Sequence, residues 1–259
     1  MPVVPAVAAM LIIVASHTCT EKLYAAVILF KTILTDIYIS KISALFINIH
    51  SHAPAQPGEW AIQNLYNNFN SILKPGIFAA GLHPWHLYET NWKQEFESLQ
   101  SLSKQEQVIA IGECGLDKAC NTPFQLQKDA FIAQLLWANE INKPLIIHCV
   151  RAFDEILKLL QIHKNKVPVI FHGFNKNRLL AEKLTAKGHW LSFGKALLQV
   201  GNHENFLSVP ADKYFLETDD ATVSIEIIYK AAANIKNTTV DELHLQLKKN
   251  VRTVFNISV

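Results

Sequence analysis

Eight short apolar runs of strand length recur between residues 45 and 218 and alternate with amphipathic segments. The strand candidates are 45–49, 60–66, 76–82, 108–112, 144–148, 167–172, 189–193 and 213–218. Helical patterns fill most intervals, at 92–103, 123–140, 152–164, 176–187 and near 203–209. Two more follow the last strand, at 221–235 and 240–255, and the second opens with a capping box, Thr239 with Glu242. Alternating β and α elements imply parallel strands covered by helices. Eight strands favour a closed (β/α)8 TIM-type barrel over an open sheet. Only about ten residues separate the first two strands, too few for a helical crossover. The expected fold is therefore α/β, an irregular barrel whose helix between the first two strands is missing.

The chain has 259 residues, half of them hydrophobic, and a net charge of +2. That length suits one such barrel, and the balanced charge supplies no strong global field toward nucleic acid or anionic membrane, leaving a local basic patch open. Cys19, Cys114, Cys120 and Cys149 form no CxxC pair and read as free thiols in a reducing compartment, which points to the cytoplasm. Cys114 and Cys149 read as small buried side chains. Residues 1–44 contain two apolar runs, Val3–Ala15 and Leu23–Phe30. The first lacks a preceding Lys or Arg, and neither reaches the roughly 20 residues that span a bilayer. They read as a hydrophobic extension, a weak export segment or residues from an over-extended reading frame. The third is favoured because domain grammar begins only at Leu45, so the expected domain is 45–259.

Active sites in this fold stand at the C-terminal ends of the strands. Strand one runs into His50 and His52, whose i, i+2 spacing turns both to one face. Strand four runs into Glu113, strand five into His148, strand six into His172 and strand eight into Asp219. One such residue is an ordinary polar terminus; six at the same end of five strands imply a metal site. Imidazole and carboxylate without thiolate suit Zn, Mn, Fe or Mg. Six ligands exceed one open tetrahedral site. They match two divalent ions roughly 3.5–4 Å apart, bridged by a carboxylate such as Glu113 and activating a shared water. Metal-assisted hydrolysis is the expected reaction. Asp219 is the expected general base, with Glu113 the second choice. Glu217, two residues before Asp219, would share its strand face and serve in a structural ion pair, while Asp220 falls in the loop.

NIHSH (48–52), GLHPWH (81–86), AIGECGLD (110–117), PLIIHCVRAFDEIL (144–157), VIFHGF (169–174), LETD (216–219) and NVRTVFN (250–256) together resemble the TatD family of metal-dependent hydrolases. The resemblance implies that His50 and His52 bind one ion, that Glu113 bridges, that His148 and His172 bind the other, and that Asp219 completes the site. It further implies a divalent-metal-dependent DNase (Mg, Mn or Zn) acting on DNA, single-stranded by preference; the sequence gives no ground to infer a stable protein partner. Arg151 could grip a phosphate bidentately or pair with Asp154 on the surface. His83 could donate to a phosphate oxygen or leaving group, and Trp85 and His86 could stack on a base or simply pack.

Three features depart from the family pattern: Asn48 replaces the usual Asp, ETDDA replaces ETDSP and adds Asp220, and the first helix is absent. Two other readings stand beside the nuclease. One is a hydrolase of a small ester, lactone, amide or phosphoester on the same metals. The other is a non-catalytic barrel that binds metal or a partner, against which the intact ligand set and its base argue.

Overall fold

In a computed structural model, which describes residues 45–66, 69, 75–199, 201 and 203–259, the eight apolar runs become one parallel sheet in chain order. Its strands are β1 (Phe46–Ser51), β2 (Glu59–Leu65), β3 (Ile77–Ala80), β4 (Val108–Asp117), β5 (Leu145–Val150), β6 (Val169–Phe171), β7 (Trp190–Phe193) and β8 (Tyr214–Leu216). The expectations for residues 1–44 lie outside the described residues. Among the described residues, seven helices pack around the sheet: α1 (Trp92–Leu102), α2 (Phe124–Ile141), α3 (Phe153–Ile162), α4 (Arg178–Ala186), α5 (His203–Ser208), α6 (Ile225–Lys236) and α7 (Val240–Phe255). Both faces of the strands are covered, so they read as continuous apolar runs; in β4 every residue but Ile109 is buried. Residues 46–259 form one compact unit. Among the described residues, no helix is long and apolar enough to cross a membrane.

The sheet closes between its first and last strands. Ser51 and Asp219 form a parallel bridge. Asp219 N donates to His50 O at 3.0 Å, and His52 N donates to Asp219 O at 3.1 Å. The Asn48 side chain completes the seam: its Nδ2 donates to Thr218 Oγ1 at 2.9 Å and its Oδ1 accepts from Thr218 N at 3.0 Å. An ionised aspartate could supply only the second of these bonds. Between β1 and β2 the chain passes directly through residues 52–58 without a helix, as the spacing predicts. The Thr239–Glu242 capping box of α7 is also formed.

The strand ends differ from the sequence pattern. β4 continues to Asp117 and β5 to Val150, pairing Gly115 with His148 and Asp117 with Val150. Glu113 and His148 therefore sit inside paired strands, where backbone hydrogen bonds hold them more rigidly than a loop would. β8 stops early, at Leu216, because Asp219 turns into a left-handed conformation (φ 56°) to reach β1. The predicted alternation of Glu217 with Asp219 is lost with it.

Gly115 makes the β4–β5 approach possible. At its φ of 147°, a Cβ would lie 2.0 Å from the His148 carbonyl oxygen, so both backbone strain and overlap oppose any side chain. Gly115→Ala is expected to lower unfolding stability by about 3 kcal/mol, measured as a fall in urea midpoint; an unchanged midpoint would refute this close-packing account.

Candidate metal centre

Glu113 is the hub of the site. It is 3% exposed, and five imidazoles approach its two oxygens. His172 Nε2 lies 2.7 Å from Oε1, His148 Nδ1 2.8 Å and His83 Nε2 3.1 Å. His50 Nε2 lies 3.3 Å from Oε2 and His52 Nε2 3.5 Å. Asp219 Oδ1 adds a second carboxylate, 3.6 Å from His50 and 3.3 Å from His52. All six ligands predicted from the sequence therefore converge. They form three overlapping groups of metal-ligand spacing: His50 with His172 and Asp219, His50 with His52 and Glu113, and His83 with Glu113 and His148. His83, predicted as a substrate contact, thus stands among the candidate ligands.

Hydrogen-bond geometry tests whether these residues suit a metal. Both ring nitrogens of His50 and of His172 are buried without an adequately directed hydrogen bond, although carboxylate oxygens lie close by. Nitrogens and oxygens this near that do not point at one another are aimed at shared points between them, as ligands of a common ion are. Leaving them unpaired would cost about 1–3 kcal/mol per group, and a cation would remove that cost. The donor set, imidazole and carboxylate, fits a divalent ion.

The electrostatics agree. Burial opposes ionisation of Glu113, but the His172 charge, the bond with His148 and the close approach of His172 and His50 hold its carboxyl well below the usual range. Burial likewise opposes charge on His172, yet Glu113 and Glu217 raise its pKa well above the ordinary value. His50 is raised against burial by Asp219 and Glu113. His52, bonded to Asp219 and then Glu113, is raised to about 9. Asp219 is lowered because His50 and His52 outweigh its burial. The pocket thus demands positive charge, and His50, His52 and His172 provide it as protons.

Several residues outside the predicted set hold the hub in place. Asn64, on β2, clamps Glu113: its Nδ2 donates to Oε2 at 3.1 Å, and Glu113 N donates to Asn64 Oδ1 at 2.8 Å. Asp117 Oδ2 accepts from His148 Nε2 at 3.2 Å, which turns Nδ1 toward Glu113. Glu217 lies 3.7 Å from His172 Nδ1, so the ion pair predicted for it has His172 as its partner. Trp85 N donates to His83 Nδ1 at 3.1 Å, which leaves the proton of neutral His83 on Nε2, facing Glu113. Burial lowers the His83 pKa, keeping that ring neutral. Asp117 lies within the AIGECGLD stretch, so the sequence contained its signal; Asn64 carried none.

A cavity of about 310 Å³ opens over the centre, lined by Tyr66, Trp85, His86, Asp220 and every candidate ligand except the fully buried His50. Arg151 does not line it; the residue follows β5, exposed and in a left-handed conformation (φ 55°). Its predicted surface partner Asp154 pairs instead with Lys183, at 2.8 Å. Asp220 pairs with Lys195 at 2.7 Å, which offsets the added negative charge beside the site. Cys114, Cys120 and Cys149 are free thiols; Cys114 is buried, and burial pushes the Cys149 thiol up to about 12.

Known proteins resemble this chain in sequence and in fold. A family model described as "TatD related DNase" matches residues 61–256. A protein of Klebsiella pneumoniae (strain 342) named 3'-5' ssDNA/RNA exonuclease TatD is 30% identical over 208 residues, covering 70% of this chain and 77% of its own. A Buchnera aphidicola protein named as an uncharacterized metal-dependent hydrolase is 26% identical over 200 residues, covering 70% of this chain and 74% of its own. The crystal structure of YJJV, a TatD homologue from Escherichia coli k12, superposes with a TM-score of 0.72 at 22% identity, covering 83% of this chain and 99% of that one. The chain belongs to the TatD family of metal-dependent hydrolases.

Proposed function

We propose that this hydrolase cleaves phosphodiester bonds of single-stranded nucleic acid with two divalent ions held around Glu113. The carrying observation is the pair of buried imidazoles, His50 and His172, whose nitrogens converge with Glu113 and Asp219 without bonding one another. His50 and His52 would hold one ion with Asp219, and His148 and His172 the other, with Glu113 shared. Bound divalent ions supply Lewis-acid polarisation of the phosphodiester and a more acidic water. Asp219, ionised and 30% exposed at its side chain, would take a proton from the attacking water and return it to the leaving oxygen. His83 carries an Nε2–H that a phosphate oxygen would take over from Glu113. Arg151, with no ion pair among the described residues, is available as a phosphate clamp at the end of β5.

A polymeric substrate is supported by the shape of the mouth. A second cleft of about 430 Å³, flanked by Lys176 and Lys195, shares Asp219 with the catalytic cavity. A strand crossing Asp219 would thus meet the candidate metal ligands on one side and Lys176 on the other. The relative from Klebsiella, named for single-stranded DNA and RNA, supports the same substrate class.

Two measurements test the reading. Metal binding must displace protons from the histidines, because a metal ligand is a neutral imidazole. Since His50, His52 and His172 are raised, affinity should strengthen as pH rises toward the His52 value of about 9 and weaken in acid. Calorimetry near neutral pH, in buffers of different ionisation heat, should show release of about two protons per chain; buffer-independent heat would contradict the assigned ligands. In the second, metal-stripped protein is given Mg²⁺, Mn²⁺ or Zn²⁺ and labelled single-stranded DNA. Cleavage should return with metal, and Asp219→Asn should lower kcat by about 10³-fold, with metal content measured alongside. Metal-loaded protein that cleaves no strand would sink the nuclease reading in favour of a small ester or phosphoester.

A further inference from the structure

Trp85 combines two properties that ordinary packing does not explain. It is 55% exposed and lines the catalytic cavity, yet its indole is fixed. Nε1 donates to Asp117 Oδ2 at 2.6 Å, and the Trp85 backbone N donates to His83 Nδ1 at 3.1 Å. A packed tryptophan would hide its faces, and an incidental surface tryptophan would not need a buried carboxylate to hold it. Tyr66 and His86 line the same cavity and stack on each other, centroids 5.1 Å apart and planes 25° apart. Rigid aromatic faces open at a site mouth suit a flat apolar ligand, because little side-chain entropy remains to be lost on binding.

Asp117 gives the arrangement a second consequence. Only 2% exposed, it takes Ala119 N on Oδ1 at 2.6 Å and places Oδ2 between two donors, Trp85 Nε1 and His148 Nε2. Gln127 holds its backbone from both sides, accepting from Asp117 N at 2.8 Å and donating to Asp117 O at 3.0 Å. One carboxylate oxygen therefore sets the position of the exposed indole and of an imidazole facing Glu113.

We infer that Trp85 is a nucleobase platform and that Asp117 couples a base docked there to the metal ligand His148. This deepens the nucleic-acid reading above and rests on it. Every base has a π-face, so the platform takes strands of any sequence. Asp117 touches no substrate and is a positioning residue. Coupling is reciprocal, so metal binding at His148 also adjusts the indole.

The experiment uses the full chain loaded with Mn²⁺ and two labelled single strands, identical except that one carries an abasic terminal nucleotide at its 3′ end. The native protein should show a KM about tenfold lower for the base-bearing strand, and Trp85→Ala should bring the two KM values together. Without substrate, Mn²⁺ titration should change the Trp85 emission, taken as the difference between native protein and Trp85→Phe. Asp117→Asn should abolish that change and weaken Mn²⁺ affinity by about 10–100-fold. Trp85→Phe keeps an aromatic face and loses only the N–H, so it should retain base discrimination while shifting Mn²⁺ affinity by about fivefold. Native protein that cleaves both strands equally well overturns the platform and leaves the nuclease reading intact. Cleavage of neither removes both. Native Mn²⁺ affinity in Asp117→Asn and Trp85→Phe overturns the coupling.

Discussion

Asp219 closes the barrel and faces its chemistry, and the structure depends on its doing both. Its backbone bonds to His50 O and from His52 N join the last strand to the first, while its side chain approaches the imidazoles of the same two residues. The turn that permits this puts a non-glycine residue at φ 56°, a conformation that carries some strain and persists only where surrounding bonds determine it. Here the seam supplies those bonds, together with the Asn48–Thr218 pair below it. Loosening the seam would therefore displace two histidines and a carboxylate together.

The second constraint is electrostatic. A carboxylate buried as deeply as Glu113 costs several kcal/mol unless charge and hydrogen bonds compensate it. Asn64 satisfies part of that demand with a neutral amide, and the imidazoles satisfy the rest. Protons on histidine and divalent ions are alternative ways of delivering the same positive charge. Under the proposed ligand assignment that exchange would tie metal affinity to pH.

Much of the fold was legible because its signals are local. Runs such as 144–148 and 167–172 are short, apolar and bounded by helical pattern, and the gap of about ten residues after the first strand candidate is too short for a helical crossover. Strand ends were less legible. β4 passes through Glu113 to Asp117 because β5 comes close enough at Gly115 to keep pairing, and no local pattern encodes the partner. β8 ends at Leu216 for the opposite reason, since Asp219 leaves the strand to meet β1. Likewise Arg151 follows a strand whose end faces the site, yet it does not line the cavity.

The sequence by itself determined the parallel barrel, the missing helix and the six residues that converge on one centre, because strand-end position and side-chain type are properties of single segments. Only the tertiary structure decided what those residues meet. It brought Asn64 to Glu113 across 49 positions and Thr218 to Asn48 across 170. It set Asp117 between Trp85 and His148, and it moved His83 beside Glu113. Hydrogen bonds of this kind depend on distances of a few tenths of an ångström between distant segments, and those distances exist only once the barrel has closed.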